Sequence, residues 1–168
     1  MKKTNTRFLA EAGLIAALYA VATYVCALWG IAYGEVQFRF SEALTILPLF
    51  TPAAIPGLTI GCFLANLSSP YGIIDVLCGT AATLIAAIAV RASRQIRIKN
   101  IAWLAPIFPV LSNALIVGLE ISWFVPEGLS WAGFSAAAVS VGLGELVICY
   151  GLGLPLSIAL NRLPVFKK

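Results

Sequence analysis

Long runs of apolar residues, each able to cross a lipid bilayer, limit the possible fold of this chain more than any other feature. Such runs are read at residues 8–29, 73–90, 101–121 and 131–161, with two shorter ones at 42–50 and 53–67. A spanning helix needs about 20 mainly apolar residues at a rise of 1.5 Å each. The 168 residues thus have room for about six spans joined by short loops, with none left for an additional soluble domain. Composition agrees: 61% of residues are hydrophobic and 11% charged, and mean hydropathy is +0.97, far from a water-soluble domain. The expected fold is an all-α integral membrane bundle, with residues 1–168 forming one membrane-embedded domain.

Missing residue types narrow the chemistry. The chain has no histidine, which removes His-based acid–base catalysis and His-ligated metals. Cys26, Cys62, Cys78 and Cys149 sit in apolar runs with no Cys-x-x-Cys spacing, so they read as small buried hydrophobes rather than zinc or redox sites. No metal and no cofactor are expected. There is no Gly-x-x-x-x-Gly-Lys-Ser/Thr phosphate loop, so a pump built on this chain must draw its energy from another protein. The basic residues 1–7 ahead of the run at 8–29 have the outline of a secretory signal. That run is too long for one and is not closed by a small-x-small cleavage site, so a retained first helix is expected. A net charge of +4 and a pI near 9.0 do not indicate nucleic acid, because the basic residues flank membrane spans and no nucleic-acid-binding motif accompanies them.

Those basic residues report topology. They cluster at Lys2, Lys3 and Arg7, at Arg91, Arg94, Arg97 and Lys99, and at Arg162, Lys167 and Lys168, leaving only Arg39 apart. The positive-inside rule puts all three clusters, and both termini, in the cytoplasm of a multi-pass cell-membrane protein. An even number of crossings must then separate Arg7 from Arg91. Pro48, Pro52 and Pro56 punctuate residues 42–67, which could form two short helices, one broken helix or a re-entrant pair; parity favours two crossings. Most acids follow the outer loops: Glu35, Glu42, Asp75, Glu120 and Glu127 are outer-facing, with Glu11 near the inner end of the first helix and Glu145 inside the last.

Glu145 is the sharpest single signal. A carboxylate in the middle of a long apolar run costs several kcal/mol unless paired or solvated, so it should face the bundle interior as a ligand contact or a structural bond. Asn113 and Glu120 are seven apart, two turns on one helix face, and with Glu42 and Asp75 at neighbouring helix starts they would line an acceptor-rich pocket. Carboxylates at helix starts can also simply stabilise the helix. In 35–42 polar and apolar residues alternate, so Gln37, Arg39 and Ser41 would share a face if extended; the strip could cover a pocket or lie on the membrane, with Phe38 and Phe40 as anchors. Asn66 and Trp123 are weaker candidates, Trp123 belonging equally well to an interfacial aromatic belt with Trp29, Tyr33, Tyr71 and Trp131. Ala12, Ala16 and Ala20 recur every four residues, which lets another helix approach closely. This stripe is the expected docking surface for a partner subunit, with packing inside the bundle as the alternative.

From Gln37 through Pro48 the chain resembles the QueT family. Further matching blocks are Gly61 to Asn66, Gly72 to Asp75 with Gly79, Thr80, Thr83 and Leu84, Asn113 to Glu120, and Gly144-Glu145 with Gly151 to Leu156. Members of that family are regarded as membrane substrate-binding subunits (S components) of energy-coupling factor (ECF) transporters, a type of ABC importer. The resemblance implies a six-helix S-component bundle that takes up a queuosine precursor at the outer face. The ligand would be a 7-deazaguanine such as 7-aminomethyl-7-deazaguanine, or queuine. It also implies partners: one transmembrane coupling subunit and two ATPases. An S component for another vitamin or purine-like solute is the neighbouring reading. From other classes come a small intramembrane enzyme using Glu145 or Asp75 as acid or base, which no nucleophile motif supports, and a scaffold that only docks partners.

Overall fold

The computed structural model describes residues 3–33, 37–124 and 129–163. Lys2, Glu35, Glu127, Lys167 and Lys168, assigned above to one membrane face or the other, lie outside them. The described chain is all-helical apart from one isolated bridge: α1 (Lys3–Leu28), a 3₁₀ segment (Phe40–Leu49), α2 (Ala54–Asn66), α3 (Ile73–Ala92), α4 (Ile107–Phe124), α5 (Trp131–Ile148) and α6 (Leu154–Arg162). Four helical stretches are long and apolar enough to cross a membrane, α5 and α6 counting as one 32-residue rod. They are joined through a π turn at Cys149–Gly153. Pro155 has no N–H for the carbonyl of Gly151 and its ring crowds that carbonyl, so the helix widens there rather than breaking.

The region around residues 42–67 resolves into two short helices. Ten residues at the 2.0 Å rise of a 3₁₀ helix reach about 20 Å, as far as the thirteen residues of α2 at 1.5 Å each. In a 3₁₀ helix side chains at i and i+3 eclipse. Glu42, Thr45 and Pro48 accordingly form one buried row and Ala43, Ile46 and Leu49 a second, while Leu44 and Leu47 are only half-buried.

Contacts between elements fix an up-and-down order. The backbone N–H of Phe40 meets Cys26 Sγ (3.3 Å) near the end of α1, and Thr51 bonds Glu11 Oε2 (2.9 Å) near its start, so the 3₁₀ segment runs back along α1. Gly57 packs on Ala12 and Gly61 on Ala16, so α2 runs parallel to α1. Arg91 Nη1 donates to Pro48 O (3.0 Å), placing the end of α3 where α1 begins. Gly118 packs on Ala138 and Gly142 faces Ala114, making α4 and α5 antiparallel. Arg97 Nη1 donates to Asn161 Oδ1 (2.9 Å) and brings the end of α6 beside the α3–α4 connection. The end where α1 begins is called proximal below, and the end where α1 finishes distal.

Two expectations need correction. The run read at 101–121 becomes helical only at Ile107 and continues to Phe124. Ile98 and Ile101 exchange backbone bonds of 3.0 Å around Lys99 and Asn100, whose φ angles are 52° and 63°, a tight turn that consumes the start of the apolar run. Pro106 and Pro109 then set the helix start, where missing N–H groups do no harm. The stripe of Ala12, Ala16 and Ala20 is buried within the bundle. A Cβ on Gly57 would stand 2.8 Å from Ala12 O, and one on Gly61 2.8 Å from Ala16 O. The stripe is therefore occupied by α2 and is no free docking surface.

Candidate solute-binding site

Most of the polar residues buried in the bundle, including its buried charges Arg39, Glu42, Asp75, Glu120 and Glu145, gather between its middle and its distal end, whereas Ser93 and Ser157 are buried toward the proximal end. The elements converge on the polar region for identifiable reasons. Arg39 has extended backbone (φ −108°, ψ 107°) just before the 3₁₀ segment. Burial alternates along the strip, with Gln37, Arg39 and Ser41 inside and Phe40 exposed, as its polar alternation predicts. The Arg39 guanidinium is anchored from three sides. Nε donates to Ala32 O (2.9 Å), Nη1 donates to Asn66 Oδ1 (3.1 Å), and the group lies over the Tyr33 ring at 4.9 Å. Burial works against its charge, but Asp75 and other nearby groups outweigh that, so its pKa is held above the ordinary value. Its Nη2 stands 3.6 Å from Asp75 Oδ2, an ion pair just beyond hydrogen-bond reach.

Asn66 connects this strip to α3, donating to Asp75 O (3.0 Å) and contacting Cys62 Sγ (3.5 Å). It needs Gly79 to do so, because a Cβ there would lie 2.3 Å from Asn66 Nδ2. Glu120, on the inward face of α4, has Asp75 and Arg39 as its charged neighbours.

Deeper lies a second group. Tyr19 donates to Glu42 Oε1, while Asn113 Nδ2 donates to Glu145 Oε1 (2.8 Å) and also approaches Glu42. Cys149, one turn on from Glu145, contacts its Oε2 at 3.4 Å. Thr45 donates to Glu42 O (2.6 Å), and Thr23 to Ser41 Oγ (2.7 Å).

Of the sequence candidates, Arg39, Glu42, Asn66, Asp75, Asn113, Glu120 and Glu145 thus meet in two linked clusters, and Gln37 is buried on the same strip as Arg39. Trp123 does not join them: it is 65% exposed and stands outward near the end of α4, as a residue of an aromatic belt does. Tyr19, Thr45 and Cys149 were missed. Tyr19 and Thr23 are polar residues one turn apart in an apolar helix, and Cys149 follows Glu145 by four; both spacings put the pair on one face.

Four carboxylates (Glu42, Asp75, Glu120 and Glu145) are buried around a single guanidinium, and the described partners leave much of them unmatched. Gln37 Nε2, Arg39 Nη2, Glu42 Oε2, both Asp75 oxygens, Thr80 Oγ1 and both Glu120 oxygens have no hydrogen-bond partner among the described residues. Each buried, unpaired polar group is destabilising by about 1–3 kcal/mol, more if charged. Such a set is better suited to receiving a ligand than to holding the fold together.

A helical membrane bundle with an incompletely paired polar site buried toward one end is the architecture of a membrane transport protein. The chain belongs to the QueT transporter family, whose profile matches residues 9–162. Over 85 residues it is 38% identical to the queuosine precursor transporter QueT of Lactococcus lactis subsp. cremoris, a match covering 51% of this chain and 50% of that protein. The matched segment thus spans about half the length of that relative. No solved structure matches the chain.

Proposed function

We propose that this chain is the membrane substrate-binding subunit of an ECF-type ABC importer, capturing a queuosine precursor of the 7-deazaguanine type, such as 7-aminomethyl-7-deazaguanine or queuine. The observation that carries the reading is the inventory of unpaired atoms: two nitrogen donors, from Gln37 and Arg39, and the Thr80 hydroxyl, against five carboxylate oxygens, from Glu42, Asp75 and Glu120. Their complement is a molecule with one acceptor, several N–H donors and a positive charge. A 7-deazaguanine offers one carbonyl, an N–H and an amino group along one edge, and the aminomethyl form adds an ammonium. The name of the Lactococcus lactis relative agrees with that chemistry.

ATP-driven uptake would require a transmembrane coupling subunit and two ATPases supplied by other chains. Their docking surface lies elsewhere than on the buried Ala12, Ala16, Ala20 stripe. Capture would be from outside the cell: Arg7, Arg91, Arg94, Arg97 and Arg162 all belong to the proximal end, which the positive-inside rule makes cytoplasmic. Purified protein should bind 7-aminomethyl-7-deazaguanine, and mass spectrometry of small molecules released on denaturation should recover a 7-deazaguanine. A purified, folded protein that binds none of these bases would refute the reading. External labelling of a cysteine placed at Arg94 would invert the orientation.

A further inference from the structure

The unpaired atoms divide into two groups of different character. Near the distal end are two donors, Gln37 Nε2 and Arg39 Nη2, on side chains 4% and 5% exposed. With them are carboxylates whose oxygens are all unbonded, those of Asp75 and Glu120. Asp75 already has Arg39 at 3.6 Å, whereas Glu120 has both oxygens unbonded among the described residues and Arg39 only as a neighbour shared with Asp75.

The deeper pair is the reverse. Glu145 has both oxygens engaged, one by Asn113 and one by Cys149, and Glu42 keeps only Oε2 free. These two carboxylates act on each other, and the donors bonded to them, Tyr19, Asn113 and Cys149, are all neutral. Arg39 acts on both, but its ion pair is with Asp75, so among the described residues these two buried carboxylates share no cation of their own, an arrangement left incomplete unless further positive charge arrives. Asn113 and Glu120 are two turns apart on α4, about 10 Å, so one bicyclic base with a short charged arm can reach both levels.

We infer that Glu42 and Glu145 together hold the ligand's protonated amine, while Glu120 reads the amino-lactam edge of the base, whose carbonyl accepts from Arg39 and Gln37. The two open oxygens of Glu120 suit the paired N–H donors of that edge. The assignment rests on the proposed function, and it divides specificity between the two levels of the site.

The test compares binding of 7-aminomethyl-7-deazaguanine with that of 7-cyano-7-deazaguanine, which keeps the edge and lacks the ammonium. The parent should prefer the amine. Glu42→Gln and Glu145→Gln should each weaken the amine by about tenfold or more and change the nitrile by less than about threefold, so the preference collapses. Glu120→Gln should weaken both ligands alike. Retained nitrile binding shows that a variant is folded, and either deep variant suffices if the other does not fold. A parent without preference, equal loss of both ligands in the deep variants, or selective loss of the amine in Glu120→Gln overturns the assignment. A parent that binds neither base refutes the proposed function itself and is thereby distinguished from a misplaced amine.

Discussion

The seam between α1 and α2 and the space enclosed by the 3₁₀ segment, α3, α4 and α5 are both buried, yet they are filled by opposite means. In the seam Gly57 and Gly61 let α2 lie against the backbone of Ala12 and Ala16, with no room for a Cβ. Ile15, Tyr19, Leu58, Cys62 and Ala65 complete an apolar core around it. Lipid is as apolar as leucine, so helices in a membrane gain little by hiding apolar surface, and close packing of small residues is what holds them. The seam is complete in itself. The other region is polar and, within this chain, unfinished: its charges outnumber their partners. One region supplies stability; the other, under the proposed function, would gain it from a bound ligand by mass action.

The sharpest way to break this contrast is to obstruct the seam. Gly61→Leu places side-chain atoms where even a Cβ would stand 2.8 Å from Ala16 O and Tyr19 Cβ. The helices must separate, and overpacking of this kind typically costs about 1–3 kcal/mol or more. The expected outcome is a large loss of monodisperse protein in size-exclusion chromatography, which saturating ligand does not restore. A stable, well-behaved Gly61→Leu protein would show that the seam does not hold the bundle.

Next in size is a change that leaves the seam alone and disturbs the site through one methyl group. Gly79→Ala drives a Cβ to within 2.3 Å of Asn66 Nδ2, displacing the amide that positions Arg39. Binding of 7-aminomethyl-7-deazaguanine should fall by about tenfold or more, with a smaller loss of melting temperature than Gly61→Leu. Unchanged affinity would mean that Asn66 does not organise the site.

Glu120→Gln sharpens the contrast by separating stability from function. It removes a buried charge that has no bonded partner, so the ligand-free protein should melt at the same temperature or higher. Affinity should still drop by about tenfold. A clear loss of ligand-free stability would indicate that Glu120 serves the fold.

Much of this division is legible from residue types alone, and the parts that are not have physical causes. The alternation of Gln37, Arg39 and Ser41 foretells their shared burial, because a two-residue period has one inward face. Glu145 within an apolar run has to turn inward. The Ala12, Ala16, Ala20 stripe is different: its spacing shows that something approaches closely, but a helix of the same chain and a helix of a partner satisfy that spacing equally well. Residues 101–106 read as part of a span because Ile101, Ala102, Trp103 and Leu104 are apolar, whereas the left-handed turn at Lys99 and Asn100 depends on backbone geometry that hydropathy does not carry. Tyr19 and Cys149 are hidden by chemistry: each passes for a core residue until a carboxylate is placed beside it.

The smallest expected effect tests whether the two regions act separately. Thr51 Oγ1 donates to Glu11 Oε2 (2.9 Å), and Glu11 also accepts from Arg7 Nε (2.8 Å), so the turn after the 3₁₀ segment is tied to the proximal end of α1. Glu11 is partly exposed and keeps Arg7 if Thr51 is lost. Thr51→Ala should therefore destabilise by no more than about 0.5–1.5 kcal/mol, a fall in melting temperature of roughly 1–6 °C. Glu42 sits on the same 3₁₀ segment at its other end, so slack at Thr51 reaches the site only if the ten-residue segment moves as a rigid rod. With the segment held independently by Tyr19 at Glu42 and by Arg91 at Pro48, affinity for 7-aminomethyl-7-deazaguanine should stay within about threefold of the parent, a difference of under about 1 kcal/mol. A larger change in affinity than in stability would show that the proximal tie sets the position of Glu42, and would make the 3₁₀ segment a lever between the two ends of the bundle.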